Sequence, residues 1–140
     1  MTSSVDKIAG APISWGVCEV PGWGYQLPPA RVLTEMAQVG LAATEFGPDG
    51  FLPADPAVMA EFLAARHLTA VGGFTPVVLH EAGHDPAPEI EHLLDGYDAA
   101  RAEVLVLSAA TGRDGYDTRP VLDEADWTTL LANLDRLTSL

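Results

Sequence analysis

Basic residues are scarce in this chain: seven Lys and Arg stand against twenty Asp and Glu, a formal net charge of -13. A surface of that sign repels phosphate backbones and anionic lipid, which argues against nucleic-acid and membrane partners. Cysteine is nearly absent. Cys18 alone excludes an internal disulfide and fits a reducing compartment. No apolar run approaches the ~20 residues of a bilayer-spanning helix. The first residues, Met1 to Lys7, lack the apolar stretch of a secretory signal. These scarcities lead us to expect a soluble, cytoplasmic protein. What the chain has instead is 48% hydrophobic residues over 140 positions, enough for one domain with a real core.

Those residues fall into two alternating kinds of segment. Strand-type runs occur at 8–15, 41–46, 69 to about 80, and 104–109. Helices are expected to begin near Pro28-Pro29, at Asp55-Pro56, near Pro88 and near Asp123. Proline is pre-organised for a first turn, and an aspartate before it offers a capping oxygen. Their apolar faces are Val32, Leu33, Met36 and Val39; Val58, Met59, Phe62 and Leu63; Ile90, Leu93, Leu94 and Tyr97; and Trp127, Leu130, Leu131, Leu134 and Leu137. Gly40 supplies a stop, Gly72-Gly73 a kink, and Pro76 limits strand pairing. Strand then helix, four times at a period of roughly 30 residues, implies an α/β fold with a parallel sheet and right-handed crossovers. The unbroken apolar run 104–109 implies helices on one of its faces and a core on the other. The fourth helix keeps its stripe to the end, with no cap glycine and no closing strand. We therefore expect residues 1–140 to be one partial domain, an amino-terminal portion of something larger or a chain completed by a partner.

Three stretches in order, Ala11-Pro12-Ile13-Ser14-Trp15, Ala43-Thr44-Glu45-Phe46-Gly47 and Gly72-Gly73-Phe74-Thr75-Pro76-Val77-Val78-Leu79-His80, carry a resemblance. With Tyr116-Asp117-Thr118-Arg119-Pro120 and Asp126-Trp127 beyond them, they resemble the xylose isomerase-like TIM barrels. These are sugar phosphate isomerases and epimerases, and inosose dehydratase is the nearest in flavour. The likeness runs the length of the chain but covers half of an eight-unit barrel, which takes about 250 residues. It implies the first four βα units of a (β/α)8 barrel. It also implies metal-assisted proton abstraction beside a carbonyl of a sugar or cyclitol substrate, by an isomerase, epimerase or dehydratase. The divalent metal of that family is held by carboxylates and a histidine on later strands, so its ligands are expected in the missing second half. What remains here are mouth positions: Ser14 and Trp15 after strand one, Glu45 after strand two and His80 after strand three.

The residues carry their own chemistry. Glu45 closes a strand-type run just before a Gly-Pro-Asp-Gly turn, where α/β barrels place ligand groups. It is suited to orient or deprotonate a polyol hydroxyl as a general base, or it is a solvated rim carboxylate. Trp15, Trp23 and Tyr25 suit stacking on the apolar faces of a sugar ring, or a hydrophobic plug. Arg113 suits a substrate phosphate, or a surface pair with Asp114 or Asp117. Cys18 has no basic neighbour in sequence and reads as an inert thiol. His80-Glu81-Ala82-Gly83-His84 matches the zinc-protease pattern by letter, but Val77-Val78-Leu79 reads as strand and Asp85-Pro86-Ala87-Pro88 prevents the helix that pattern needs.

A reading of another class stands beside the enzyme. An open half barrel exposes sheet edges that favour pairing, so the chain is alternatively a non-catalytic fragment or interaction module, completed by a second copy or a complementing half. The apurinic-site endonucleases share the fold, and the acidic balance speaks against them. We expect the isolated chain to associate and to have no isomerase or dehydratase activity alone.

Overall fold

The computed structural model describes residues 8–20, 22–115 and 117–140. Met1–Lys7, read above for a signal, and Tyr116, part of the resemblance, lie outside them. The elements run β1 (Ala9–Gly10), α1 (Pro29–Gln38), β2 (Ala43–Glu45), α2 (Pro56–Ala64), β3 (Thr69–Val77), α3 (Ala87–Ala100), β4 (Val104–Ala109) and α4 (Glu124–Leu137). The four strands form one parallel sheet in the order β1-β2-β3-β4, alternating with helices as in half of a TIM barrel.

Several boundaries are tighter than the sequence suggested. β1 ends at Gly10, and Pro12–Trp15 is a 3-10 turn instead of strand. Pro12 has no N–H to give a ladder, and the turn closes when the Gly16 N–H donates to the Ile13 carbonyl. β3 stops at Val77, so His80 lies three residues past the strand it was expected to end. The helix starts follow local chemistry closely. Asp55 caps α2 through the Val58 N–H at 2.9 Å. Asp123 and Asp126 make a reciprocal capping box at the start of α4.

Two compact units divide the chain, one comprising residues up to Phe74 with Asp95–Val106, the other Thr75–Leu94 with Leu107–Leu140. In the first, Val32, Leu33 and Met36 of α1 are fully buried with Val17, Leu63 and Leu68. Val39, read as part of that face, is exposed because it is the C-cap and no longer follows the stripe. On α2, Met59 and Leu63 are buried but Val58 is not. His67 lies beyond the end of α2 with φ +57°.

In the second unit the Asn133 amide of α4 donates to the Leu79 carbonyl at 2.9 Å. Asp85 accepts from the Ala87 N–H and pairs with Arg136. The Ala87 amide, then Arg136, hold that carboxyl below the usual aspartate range. The stripe expected on α4 is mostly uncovered: Trp127 is 52% and Leu131 59% exposed, and Leu137 alone of the five is buried. The two-sided burial expected for β4 is also not found. Val104 and Val106 are half exposed while Leu105 and Leu107 are partly covered, so one face of the strand is open.

Candidate functional site

Glu45 is the last residue of β2, as the sequence implied, and the ladder slips there. Thr44 pairs with Ala70 but Glu45 pairs with Gly72, so Val71 is an extra residue on β3. Such a bulge bends the strand and re-aims the neighbouring side chains. The Phe46 N–H then donates to the Gly72 carbonyl at 2.9 Å, holding the strands together past the slip. Gly72 is required by its surroundings. Its φ is +152°, and a Cβ there would collide with the Val104 carbonyl oxygen.

The result is a hollow of about 420 Å³ lined by Glu45, Val71, Gly72, Gly73, Phe74, Val104 and Val106. The hollow is a shallow, open trough: Val71, Phe74, Val104 and Val106 are 36–56% exposed, and Glu45 is exposed as well. Among its lining residues Glu45 is the one ionisable group. An apolar wall facing one carboxylate suits a compact ring with hydrophobic C–H faces and polar hydroxyls.

Beneath the Gly73 backbone stands Tyr97 of α3, only 4% exposed. Its ring meets Phe46 edge-on, with centroids 4.8 Å apart at 70°. Burial pushes the phenol up to about 12; the neighbouring Gly73 backbone pulls it down and the Glu45 carboxylate pushes it up again.

The other expected site residues are placed elsewhere. Ser14 is exposed and Trp15 half-buried in the 3-10 turn, and neither lines the hollow. The Trp15 indole N–H donates to Glu35 at 3.0 Å, and Arg31 binds the same carboxylate at 2.9 Å. The Arg31 bond is the main cause that holds Glu35 below its usual range. The indole nitrogen is thus committed to tying the turn to α1. Trp23 is 58% exposed outside the lining. Cys18 is buried, with its thiol directed at the Trp23 carbonyl. His80 and Arg113 belong to the second unit: His80 is buried and Arg113 is exposed in its loop. His84 is exposed and no helix runs through the double-histidine segment. Among the described residues no three His, Cys, Asp or Glu side chains gather as a metal donor set. Nor does any helix among them have the length and apolarity to cross a membrane.

No family model matches the chain. At the level of single proteins it is similar to inosose dehydratase of Lacticaseibacillus casei, 26% identical over 136 residues, covering 91% of this chain and 45% of that protein. It is 32% identical over 128 residues to the rhizopine catabolism protein MocC of Rhizobium meliloti, covering 86% of this chain and 39% of that one. Inosose dehydratase of Clostridium perfringens is 28% identical over 149 aligned positions, covering 100% of this chain and 49% of that one. The chain therefore spans under half the length of these curated relatives. The likeness supports a relation to the xylose isomerase-like superfamily and to its sugar- and cyclitol-processing enzymes.

Sequence reasoning placed Glu45 but not the walls around it. Val104 and Val106 fall in a run expected to be covered on both faces, Val71 carries no signal of its own, and Tyr97 reads as one more inward residue of α3. The available signal was Gly72-Gly73: two glycines inside a strand mark a bulge or a close backbone approach, and here they mark both.

Proposed function

We propose that this chain supplies the substrate-holding part of a cyclitol- or sugar-processing enzyme, with the ring of a polyhydroxylated cyclic ketone seated beside Glu45. The observation that carries the reading is a lone carboxylate at a strand end, facing an apolar hollow of about 420 Å³. The names of the relatives, inosose dehydratase and rhizopine catabolism protein, supply the substrate class. Loss of water from such a ketone breaks the C–H bond beside the carbonyl and the C–O bond one carbon further on. Glu45 takes the proton, the C–H electron pair becomes the new C=C bond, and the hydroxyl leaves. Passing the same proton to the departing hydroxyl forms water and restores the carboxylate. Isomerase or epimerase chemistry begins with the same proton abstraction.

The divalent metal that the resemblance implies is not fitted by the described residues, which offer no donor set. On this reading its ligands belong to further βα units. Ser14, Trp15, Trp23, His80 and Arg113 remain candidates for contacts that those units would complete.

Calorimetric titration of the chain with an inosose tests the reading. Saturable binding, weakened roughly tenfold in Glu45→Gln by loss of a charged hydrogen-bond acceptor, is expected. Absence of binding, or equal binding by the variant, overturns it. No water loss is expected from the chain alone.

A second reading is favoured by Phe74, Val104 and Val106, each at least half exposed on the sheet. On that reading the chain is a non-catalytic half barrel that associates through the edges at β1 and β4. Sedimentation as a monomer at micromolar concentration would remove it.

A further inference from the structure

We infer that the Asp49–Gly50 peptide link, in the turn that follows β2, is a site of spontaneous self-modification: the Gly50 nitrogen attacks the Asp49 side chain, and the link is rebuilt through that side chain as isoaspartate. The inference stands apart from the reading of Glu45 as a substrate contact.

The chemistry needs an aspartate followed by a residue with little bulk. The Gly50 nitrogen bonds to Asp49 Cγ and loses its proton, and a side-chain oxygen leaves as water. A five-membered succinimide results. Water then adds at the main-chain carbonyl carbon and breaks the original peptide bond. The chain now runs through Cβ and Cγ, and the α-carboxylate is left free. One water leaves and one returns, so mass and charge are unchanged. Glycine matters because a side chain on the next residue crowds the attacking nitrogen.

Three Asp-Gly pairs occur in the sequence, at 49–50, 95–96 and 114–115, and the structure separates them. Asp95 and Gly96 lie inside α3, where the repeating helical hydrogen bonds fix the backbone. Asp114 and Gly115 are exposed, but the Thr118 hydroxyl donates to both of their carbonyls, at 2.8 and 3.1 Å. Asp49 and Gly50 are both exposed, and nothing stands within 4 Å of where a Gly50 Cβ would be. One backbone bond closes their turn, from the Phe51 N–H to the Pro48 carbonyl at 3.1 Å. A solvated turn held in this way opens at little cost, and opening lets nitrogen and carboxyl meet.

The product does not fit the turn it forms in. Isoaspartate adds one atom to the backbone between Pro48 and Phe51, and the closing bond loses its geometry. Gly50, at φ +70°, is already in a conformation that only a tight turn demands. Phe51, which the turn delivers, is 8% exposed in the core cluster with Val32, Leu33 and Met36. Beside it, a Cβ on Gly47 would stand 2.8 Å from Pro12 and 3.0 Å from Phe51, so the loop has no slack on that side. A lengthened turn therefore loosens Phe51.

Ageing the chain at neutral pH tests this, with peptide mapping by electron-transfer fragmentation, which tells isoaspartate from aspartate. Isoaspartate is expected at Asp49 severalfold faster than at Asp114 and not at Asp95, and at similar rates at all three in urea. Asp49→Glu keeps the charge but would need a six-membered ring, and forms none. Asp49→Asn reaches the same succinimide faster by releasing ammonia. The urea midpoint of the unmodified chain falls on ageing in step with isoaspartate at Asp49, and that of Asp49→Glu holds. No isoaspartate at Asp49 in the folded chain, or more at Asp114, overturns the site. An unchanged midpoint in the fraction carrying isoaspartate at Asp49, or an equal fall in Asp49→Glu, overturns its effect on Phe51.

Discussion

Helices α1 and α4 carry stripes of the same kind, and only one of them is covered. On α1, Val32, Leu33 and Met36 have no exposed surface. On α4, Trp127 and Leu131 are more than half exposed and Leu134 is 36% exposed. The same contrast recurs within β4, where Leu105 and Leu107 are partly covered and Val104 and Val106 are open. An apolar stripe says that an element has a face for burial. It does not say that the same chain provides the cover.

The sharpest way to break the comparison is on α1. Leu33→Ala removes a fully buried side chain and is expected to cost about 3 kcal/mol in urea unfolding, within the usual range for cavity-forming changes. A small loss there would mean that α1 is no better seated than α4. Next is the floor of the hollow. Gly73→Ala is expected to cost about 2 kcal/mol through overpacking against Tyr97. About 1 kcal/mol of that is recovered when Tyr97→Phe removes the obstructing oxygen, a coupling that a double-mutant cycle reads directly. On α4, Asp123→Ala breaks the capping box and is expected to lower stability by about 1 kcal/mol, measured by the same unfolding titration. Leu131→Ala should change it by no more than ~0.5 kcal/mol, because the side chain is exposed. A cost well above that would reveal a cover on α4.

The smallest effect concerns pH. Asp85 titrates below the ordinary 3.8 because its charged form accepts from the Ala87 amide and pairs with Arg136. A carboxyl lowered on folding stabilises the folded state above its unfolded value. That contribution fades as pH falls through the lower folded value. The group is exposed and the effect accordingly slight. Carboxyl NMR should place the Asp85 midpoint below 3.8, and Asp85→Asn should blunt the acid-side loss of stability.

Much of the fold was legible because its signals are local. Asp55-Pro56 and Asp123 announce helix starts through hydrogen bonds spanning three residues, and both are found. The run 104–109 is β4 to the residue. The first strand is shorter than its strand-type run because Pro12 and Gly16 close a turn whose bonds compete with pairing. At the site, Glu45 was legible as a strand end. The surrounding hollow was not, since it depends on a register slip that places Val71 opposite no partner. That Tyr97 stands beneath Gly73 was not legible, because the contact joins residues 24 apart.

By itself, the sequence determined the alternation of strand and helix, the helix caps, the acidic surface and the carboxylate closing β2. These follow from steric and hydrogen-bonding preferences that act within a few residues. The tertiary structure alone decided which apolar faces are covered, where β2 and β3 fall out of register, and what stands beneath Gly73. Burial and register depend on partners distant in the chain, and no local pattern names them.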